Sequence, residues 1–409
     1  MTKAITRGAI ATALLLGTLG SSLAADKKYD PGASDTEIKL GQTVAYSGPA
    51  SAFSSYGRVM TGYFQMINDA GGINGRKIVL SSLDNAFSPP KALEQTRKLV
   101  EDIGVFADVG TVGTTPNVAI QKYLNQNKVP HVFISAGGRR FNDPKNFPWS
   151  VPMYPAFEME GKTFGDFIVR TKPGAKIAVL YQNDDYGKDF LTGLKSALGS
   201  DAAKIVAETS YELSDPTIDS QIVKLKDSGA DVLMEFGTPK FVAQALRKTA
   251  ELNWRPMQFL VSPANSVETV LKPAGLENAQ GIYTSQFTKQ AADPAWANDP
   301  EVAEYVAFMK KYAPNDNPGD FIALSGYIIA QGIAHGLRRS GDELTRENFV
   351  KQAASFKNQR FKMMLPGVEL NNSTEDYAAY RSLRVARFEG TTWVLTDDDN
   401  RSGPSQAKQ

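Results

Sequence analysis

The chain contains no cysteine among its 409 residues and only two histidines. The first absence excludes a disulfide framework, a thiolate nucleophile, a cysteine-based zinc site and the lipid-bearing cysteine of an anchored exported protein. The two histidines do not replace them. His131 opens an apolar strand-like segment directly after Pro130, and His335 stands beside Gly336 in a helical pattern, so both read as structural. There is no His-x-x-x-His pair, no Gly-x-Ser-x-Gly elbow and no Walker loop. The expectation is a protein that is not an enzyme, with no metal site and no cofactor. Charge of either sign is not in excess. Forty-five basic side chains face 44 acidic ones, a formal charge of +1, with no long single-sign block. Nothing here offers an electrostatic platform for nucleic acid or an anionic membrane, which leaves a small molecule as the expected partner.

Long apolar runs are equally scarce. One stands at the amino end, where Lys3 and Arg7 precede Ala9 to Leu19 and the small residues Ser21-Ser22-Leu23-Ala24-Ala25 follow. That run falls short of the roughly 20 apolar residues needed to span a bilayer, and the charge, apolar block and small-residue order is that of a cleavable export signal over residues 1–25. The remainder must be stabilised by burial alone. At 42% hydrophobic content, its length suits two domains of ordinary size.

What is present is a recurring strand-then-helix unit. Ile38 to Val44 alternates apolar and polar residues and stops at Ser47-Gly48-Pro49, and Val59, Tyr63, Met66, Ile67 and Ala70 then share one helical face before Gly71-Gly72. A strand near Lys77 to Leu83 precedes Ser88-Pro89-Pro90, and Val105 to Gly110 precedes Thr114-Thr115-Pro116. The same pattern returns from Ile177 to Tyr181, with a helix after Tyr186, a helix capped by Asp215-Pro216, and strand Val232 to Phe236 leading to Gly237-Thr238-Pro239. Strands follow at Phe259 to Val261, and Arg384 to Leu395 forms a hairpin candidate turning at Glu389-Gly390. Such alternation predicts parallel sheets covered by helices, here two similar doubly wound lobes. The segments around Pro148 to Pro152 and Tyr283 to Gln286 are the expected crossings between them, and residues 396–409 form a polar tail.

In open α/β sheets ligands bind at the carboxyl ends of strands, so the small residues there are the candidates. Gly113-Thr114-Thr115-Pro116 comes first, because a helix amino terminus with two hydroxyls suits a carboxylate. Thr115 reads equally as the cap of that helix. Ser135-Ala136-Gly137-Gly138-Arg139-Arg140 comes second: its glycines allow close backbone approach, and its arginines read either as a solvated rim or as a fork onto an anionic ligand.

These residues resemble a known family. Ser47-Gly48-Pro49 with Tyr56-Gly57, the run Asn68 to Arg76, Gly110 to Pro116, Ile134-Ser135-Ala136 and Asp185-Tyr186-Gly187 are similar, in order, to the branched-chain amino-acid type of periplasmic binding protein. The resemblance implies a type I fold, two Rossmann-like lobes joined by a three-stranded hinge: residues 35–151 with 287–362, and 152–286 with 363–395. It implies a monomer in the periplasm that closes on a ligand and is presented to the membrane permease of an ABC importer. Carried over by position, Thr114 and the loop of Ala136, Gly137 and Arg139 would hold a ligand carboxylate from the first lobe, with Tyr56 and Val112 close by. Tyr186, Thr238 and Ala264 would close from the second, with Tyr327 a further pocket tyrosine. The chain departs from the pattern where amino-acid binders present an acidic residue to the ligand ammonium, since that loop reads Ser262-Pro263-Ala264-Asn265. Arg139 stands where they carry a small hydroxyl residue. An unpaired buried ammonium costs several kcal/mol, so the departures favour an amine-free carboxylate, an aromatic or keto acid walled by Phe53, Tyr56, Tyr186 and Tyr327. Branched-chain or other amino-acid binding is the alternative within the class, and a ligand-sensing subunit of a signalling system the alternative outside it.

Overall fold

Short strands, the central ones largely buried on both faces and most of them followed by a helix, assemble into two main sheets in this computed structural model, which describes Met1 and residues 27–396. The expected export signal and nearly all of the polar tail lie outside the described residues. The first sheet runs Lys77–Asp84, Glu37–Val44, Ala107–Val109, His131–Ile134 and Ser150–Pro152, all parallel. The second runs Ile205–Tyr211, Ile177–Gln182, Val232–Phe236, Met257–Leu260 and Tyr283–Gln286 in parallel, then adds Arg384–Glu389 and Thr392–Leu395 antiparallel. Counted along the chain, the parallel strands of both sheets lie in the order 2-1-3-4-5. Connections therefore leave the first strand in opposite directions, and a crevice opens at the carboxyl ends of the first and third strands. The architecture is the expected pair of doubly wound lobes.

The chain leaves the first sheet after Ser150–Pro152, returns after Tyr283–Gln286, and passes back before Arg384–Glu389. The second and third passages bond to each other, Lys289 N to the carbonyl of Met363 at 2.8 Å and Leu365 N to that of Phe287 at 3.0 Å. Between them the helices Pro300–Tyr312 and Phe321–Ser340 pack on Ser54–Asp69 of the first lobe. Phe321–Ser340 is buried around most of its circumference, with Asp320 as its cap and Gly341, at φ 58°, as its stop.

One local expectation is corrected. Asp215 does not cap a helix: the helix is Asp219–Asp227 with Ile218 at its cap position, and Asp215 Oδ2 accepts from Glu212 N at 2.9 Å in the preceding turn. The chain also forms a helix that the pattern did not announce, Phe157–Thr171, packed along Asp185–Leu198. Their approach is close enough that a Cβ on Gly161 would lie 2.1 Å from the carbonyl of Phe190. The carboxyl-terminal hairpin forms as expected, pairing Glu389 with Thr392.

Candidate functional site

On the first lobe, the strand Ala107–Val109 runs into a tight loop and then the helix Thr114–Gln126. Gly113 stands at the cap position with φ 93°, and a Cβ there would meet the Phe87 ring at 2.4 Å. No side chain caps this helix. Thr115, an expected cap, leaves its Oγ1 without a partner, and so does Thr114, which is 3% exposed. The amino terminus thus keeps its partial positive charge, with a free hydroxyl beside it.

The loop is fixed from behind. Asn117 Nδ2 donates to the carbonyls of Thr111 and Gly113 at 2.9 and 2.6 Å, so its Oδ1 is the acceptor for His131 Nε2 at 2.7 Å. Burial pushes the His131 pKa down to about 3, which keeps the ring neutral with its proton on Nε2. Thr111 Oγ1 accepts from Thr43 N at 3.1 Å and donates to Asp108 at 2.9 Å, and burial pushes that carboxyl up to about 7. His131 is therefore a buried support.

The second lobe presents its own strand ends. Tyr186 stands in the first turn of the helix Asp185–Leu198, whose amino terminus is filled by Asp184 accepting from Tyr186 N and Gly187 N. Tyr186 Oη donates to the carbonyl of Gly237 at 3.1 Å. Thr238 precedes the helix Pro239–Glu251 and gives its N–H to Tyr211 Oη at 2.9 Å, while Tyr211 Oη donates to Gln182 Oε1 at 3.2 Å.

Between the two walls lies a cavity with about 540 Å³ of space free of protein atoms, part of it open to solvent. Seven of its 16 lining residues are aromatic, and none is Asp, Glu, Lys, Arg or His. Phe53 stacks on Phe87 at 5.9 Å, and Phe157 meets the Tyr186 ring edge-on at 5.0 Å. Tyr56 Oη, on a residue 1% exposed, has no hydrogen-bond partner in good geometry, with Ser135 the hydroxyl beside it, and burial pushes its pKa upward.

Tyr56, Val112, Thr114, Tyr186 and Thr238 line this cavity together. The other sequence candidates fall elsewhere. Ala136 and Gly137 lie in the seam between the lobes, where the Gly137 carbonyl accepts from Phe157 N at 2.9 Å. Ala264 is fully buried behind Pro263, which does line the cavity. Arg139 is a correction: its side chain is 69% exposed and turns outward, 3.6 Å from Glu158 and 3.6 Å from Asp189, because the 3-10 turn Arg139–Phe141 directs it toward the acidic start of the facing helix. Its N–H donates to Asp189 at 2.8 Å, and Arg140 Nη1 donates to Asp185 at 2.8 Å, so both arginines join lobe to lobe. Tyr327 is a second correction. Phe321, Ile322 and Ser325 line the cavity, and Tyr327, two residues past Ser325 and so about 200° around the helix, packs on Tyr63, Tyr305 and Phe308 instead. Phe87, Tyr154, Phe157, Gln182, Ile322 and Ser325 line the site without having been singled out from the sequence. Only Gln182 carried a signal, its place at a strand end.

Two lobes of one topology, meeting at their strand ends around a shared cavity, are matched by comparison with known proteins. Residues 37–392 fit the family described as Periplasmic binding protein. The chain belongs to that family. Leu/Ile/Val-binding protein homolog 3 of Brucella melitensis is 26% identical over 309 residues, covering 75% of this chain and 80% of the relative. A branched chain amino acid ABC transporter protein from Thermus thermophilus with bound valine superposes at a TM-score of 0.78 with 16% identity, over 88% of this chain and 95% of that one. A solute binding protein of an ABC transporter from R. palustris in complex with benzoate superposes at 0.72 with 19% identity, over 88% and 95%. At these identities the periplasmic binding protein structures establish the fold alone.

Proposed function

We propose that this periplasmic binding protein captures a small aromatic carboxylate lacking an ammonium group and delivers it, as a monomer, to the membrane permease of an ABC importer. The observation that carries the ligand class is the lining: seven aromatic residues, no carboxylate, and an uncapped helix terminus beside unpartnered hydroxyls. In this reading Thr114, Tyr56 and the first turn of Thr114–Gln126 hold the carboxylate, since hydroxyls and N–H groups can neutralise an anion without a formal cation. Phe53, Phe87, Tyr186 and Phe157 enclose the ring, and Thr238 closes from the second lobe. The wall holds no acidic group for an ammonium. The benzoate-bound neighbour supports the same class, and the family name agrees with the expected export to the periplasm.

A second reading, branched-chain amino-acid binding, is favoured by the names of the curated relatives and by the valine-bound neighbour. A thermal-shift panel separates the two. Benzoates, phenylpropenoates and aromatic keto acids are expected to raise the melting temperature, since a ligand at 100 times its Kd stabilises by about 2.7 kcal/mol. Leucine and valine are expected to leave it unmoved. Strong stabilisation by leucine with no response to the aromatic acids would overturn the ligand class and leave the binding-protein reading in place.

A further inference from the structure

Behind the second-lobe wall, a carboxylate that does not line the cavity is wired to a residue that does. Glu160, in the helix Phe157–Thr171, is fully buried. Its Oε1 accepts from Ser262 N at 2.6 Å and its Oε2 from Ser262 Oγ at 2.8 Å. Ser262 Oγ lies 3.0 Å from Tyr154 Oη. Tyr154 lines the cavity, as does Pro263 next to Ser262.

Proton counting sets the direction of this chain. A backbone N–H can only donate and an ionised carboxylate can only accept. The Ser262 hydroxyl has a single proton, and Glu160 takes it. Tyr154 must then supply the proton between the two hydroxyls, and its oxygen keeps lone pairs only. The opposite wall has the reverse character, since Thr114 Oγ1 has no protein partner and Tyr56 Oη none in good geometry, and both retain protons to give. The cavity is polarised, with donors on the first lobe and an acceptor at Tyr154.

We propose that Glu160 is a positioning residue that, through Ser262, makes Tyr154 an acceptor-only hydroxyl, so that the site selects aromatic carboxylates carrying a ring hydroxyl over the same acids carrying an ether or no substituent. The proposal rests on the aromatic-carboxylate reading above and adds to it a donor at the far end of the ligand. An unmet acceptor in a closed site is costly, which gives the hydroxyl its advantage.

Calorimetric titration of benzoate, meta- and para-hydroxybenzoate and the matching methoxybenzoates tests it. Burial pushes Glu160 up to about 7, so the titrations are run well above that pH, with the carboxylate ionised. One hydroxybenzoate is expected to bind at least about tenfold tighter than benzoate, and its methoxy counterpart to lose that gain. Tyr154→Phe should cancel the hydroxyl preference. Glu160→Gln should reverse it: the new amide keeps an oxygen for Ser262 N but donates to Ser262 Oγ, Ser262 then donates to Tyr154, and the Tyr154 proton turns to the cavity. A role in packing alone would not exchange the order of hydroxy and methoxy ligands. If Glu160→Gln does not fold, Ser262→Ala breaks the same chain and should also cancel the preference. Hydroxybenzoates binding no better than benzoate would overturn the relay while the aromatic reading stands, and failure of every benzoate to bind would overturn both. An unchanged hydroxy-to-methoxy ratio in Glu160→Gln would remove Glu160 from the mechanism.

Discussion

At the scale of single residues, the two polar candidates Thr114 and Arg139 separate cleanly. Thr114 is 3% exposed with an unpartnered hydroxyl in the cavity wall, whereas Arg139 is on the outside of the interlobe seam. Thr114→Val keeps the shape and removes only the hydroxyl. It is expected to weaken an aromatic carboxylate by about tenfold or more, with little change in the melting temperature of the free protein, because Oγ1 has no partner in the protein to lose. Arg139→Ala should change affinity by no more than about fivefold, since exposed ion pairs contribute about 0–1 kcal/mol. Raised salt should erase even that difference. A tenfold loss in titration calorimetry would return the guanidinium to the ligand. The sequence reading turned Arg139 toward the ligand, but which way a side chain turns depends on Glu158 and Asp189, and neither is visible as a neighbour until the lobes meet.

At the scale of elements, legibility followed periodicity. The strand, Gly113-Thr114-Thr115-Pro116 and helix succession announced itself, but the sequence left open a Thr115 cap that the first-lobe wall does not have. The helix Phe157–Thr171 did not announce itself, for two physical reasons. Gly161 and Gly165 lower its intrinsic helix propensity, and its inner face includes the buried Glu160, which interrupts the apolar stripe. Both features serve the packed state, the glycines by admitting the neighbouring helix and Glu160 by bonding Ser262. The side chains that hold the Thr111–Gly113 loop were equally hidden, because Asn117 and His131 become partners only when adjacent strands register. Asn117→Ala leaves His131 Nε2 without a partner and takes one donor each from the carbonyls of Thr111 and Gly113, which keep the N–H groups of Ser135 and of residue 117. Buried groups left unpaired cost about 1–3 kcal/mol each. The variant should melt several degrees lower and bind more weakly, where Thr114→Val loses binding alone. Chemical denaturation beside calorimetry distinguishes these outcomes, and a normally stable Asn117→Ala with full affinity would show that the loop holds its shape unaided.

At the scale of the whole molecule, the passages between lobes are the parts on which any closing motion must turn, and a cluster of charges clamps two of them. Glu301 accepts from Arg360 at 2.7 and 2.6 Å, from Lys289 Nζ at 3.0 Å and from Met363 N at 3.1 Å, so one carboxylate ties residues of the second and third passages to the helix Pro300–Tyr312. Lys289 is 4% exposed and also bonds Asp299. None of this is legible in sequence, since the passages are remote along the chain and their pairing is a product of the assembled fold. The clamp carries a pH signature. Hydrogen bonding from Arg360, then from Lys289 and Met363 N, holds the Glu301 pKa at about 2 against an ordinary 4.5. A carboxylate depressed on folding stabilises the folded state above its ordinary pKa and loses that contribution as pH falls through its folded value. Glu301→Gln should therefore melt below the parent protein at neutral pH, and the gap should narrow as pH falls from 4.5 toward 2. Asp108 and Glu235, pushed up by burial to about 7 and 8, pull stability the other way with pH, but both proteins contain them and they cancel in the difference. Melting curves of the two proteins across that range provide the measurement. A gap that stays constant with pH would mean that Glu301 contributes packing and not charge, and the hinge would then owe its geometry to the backbone pairing of residues 287–289 with 363–365 alone.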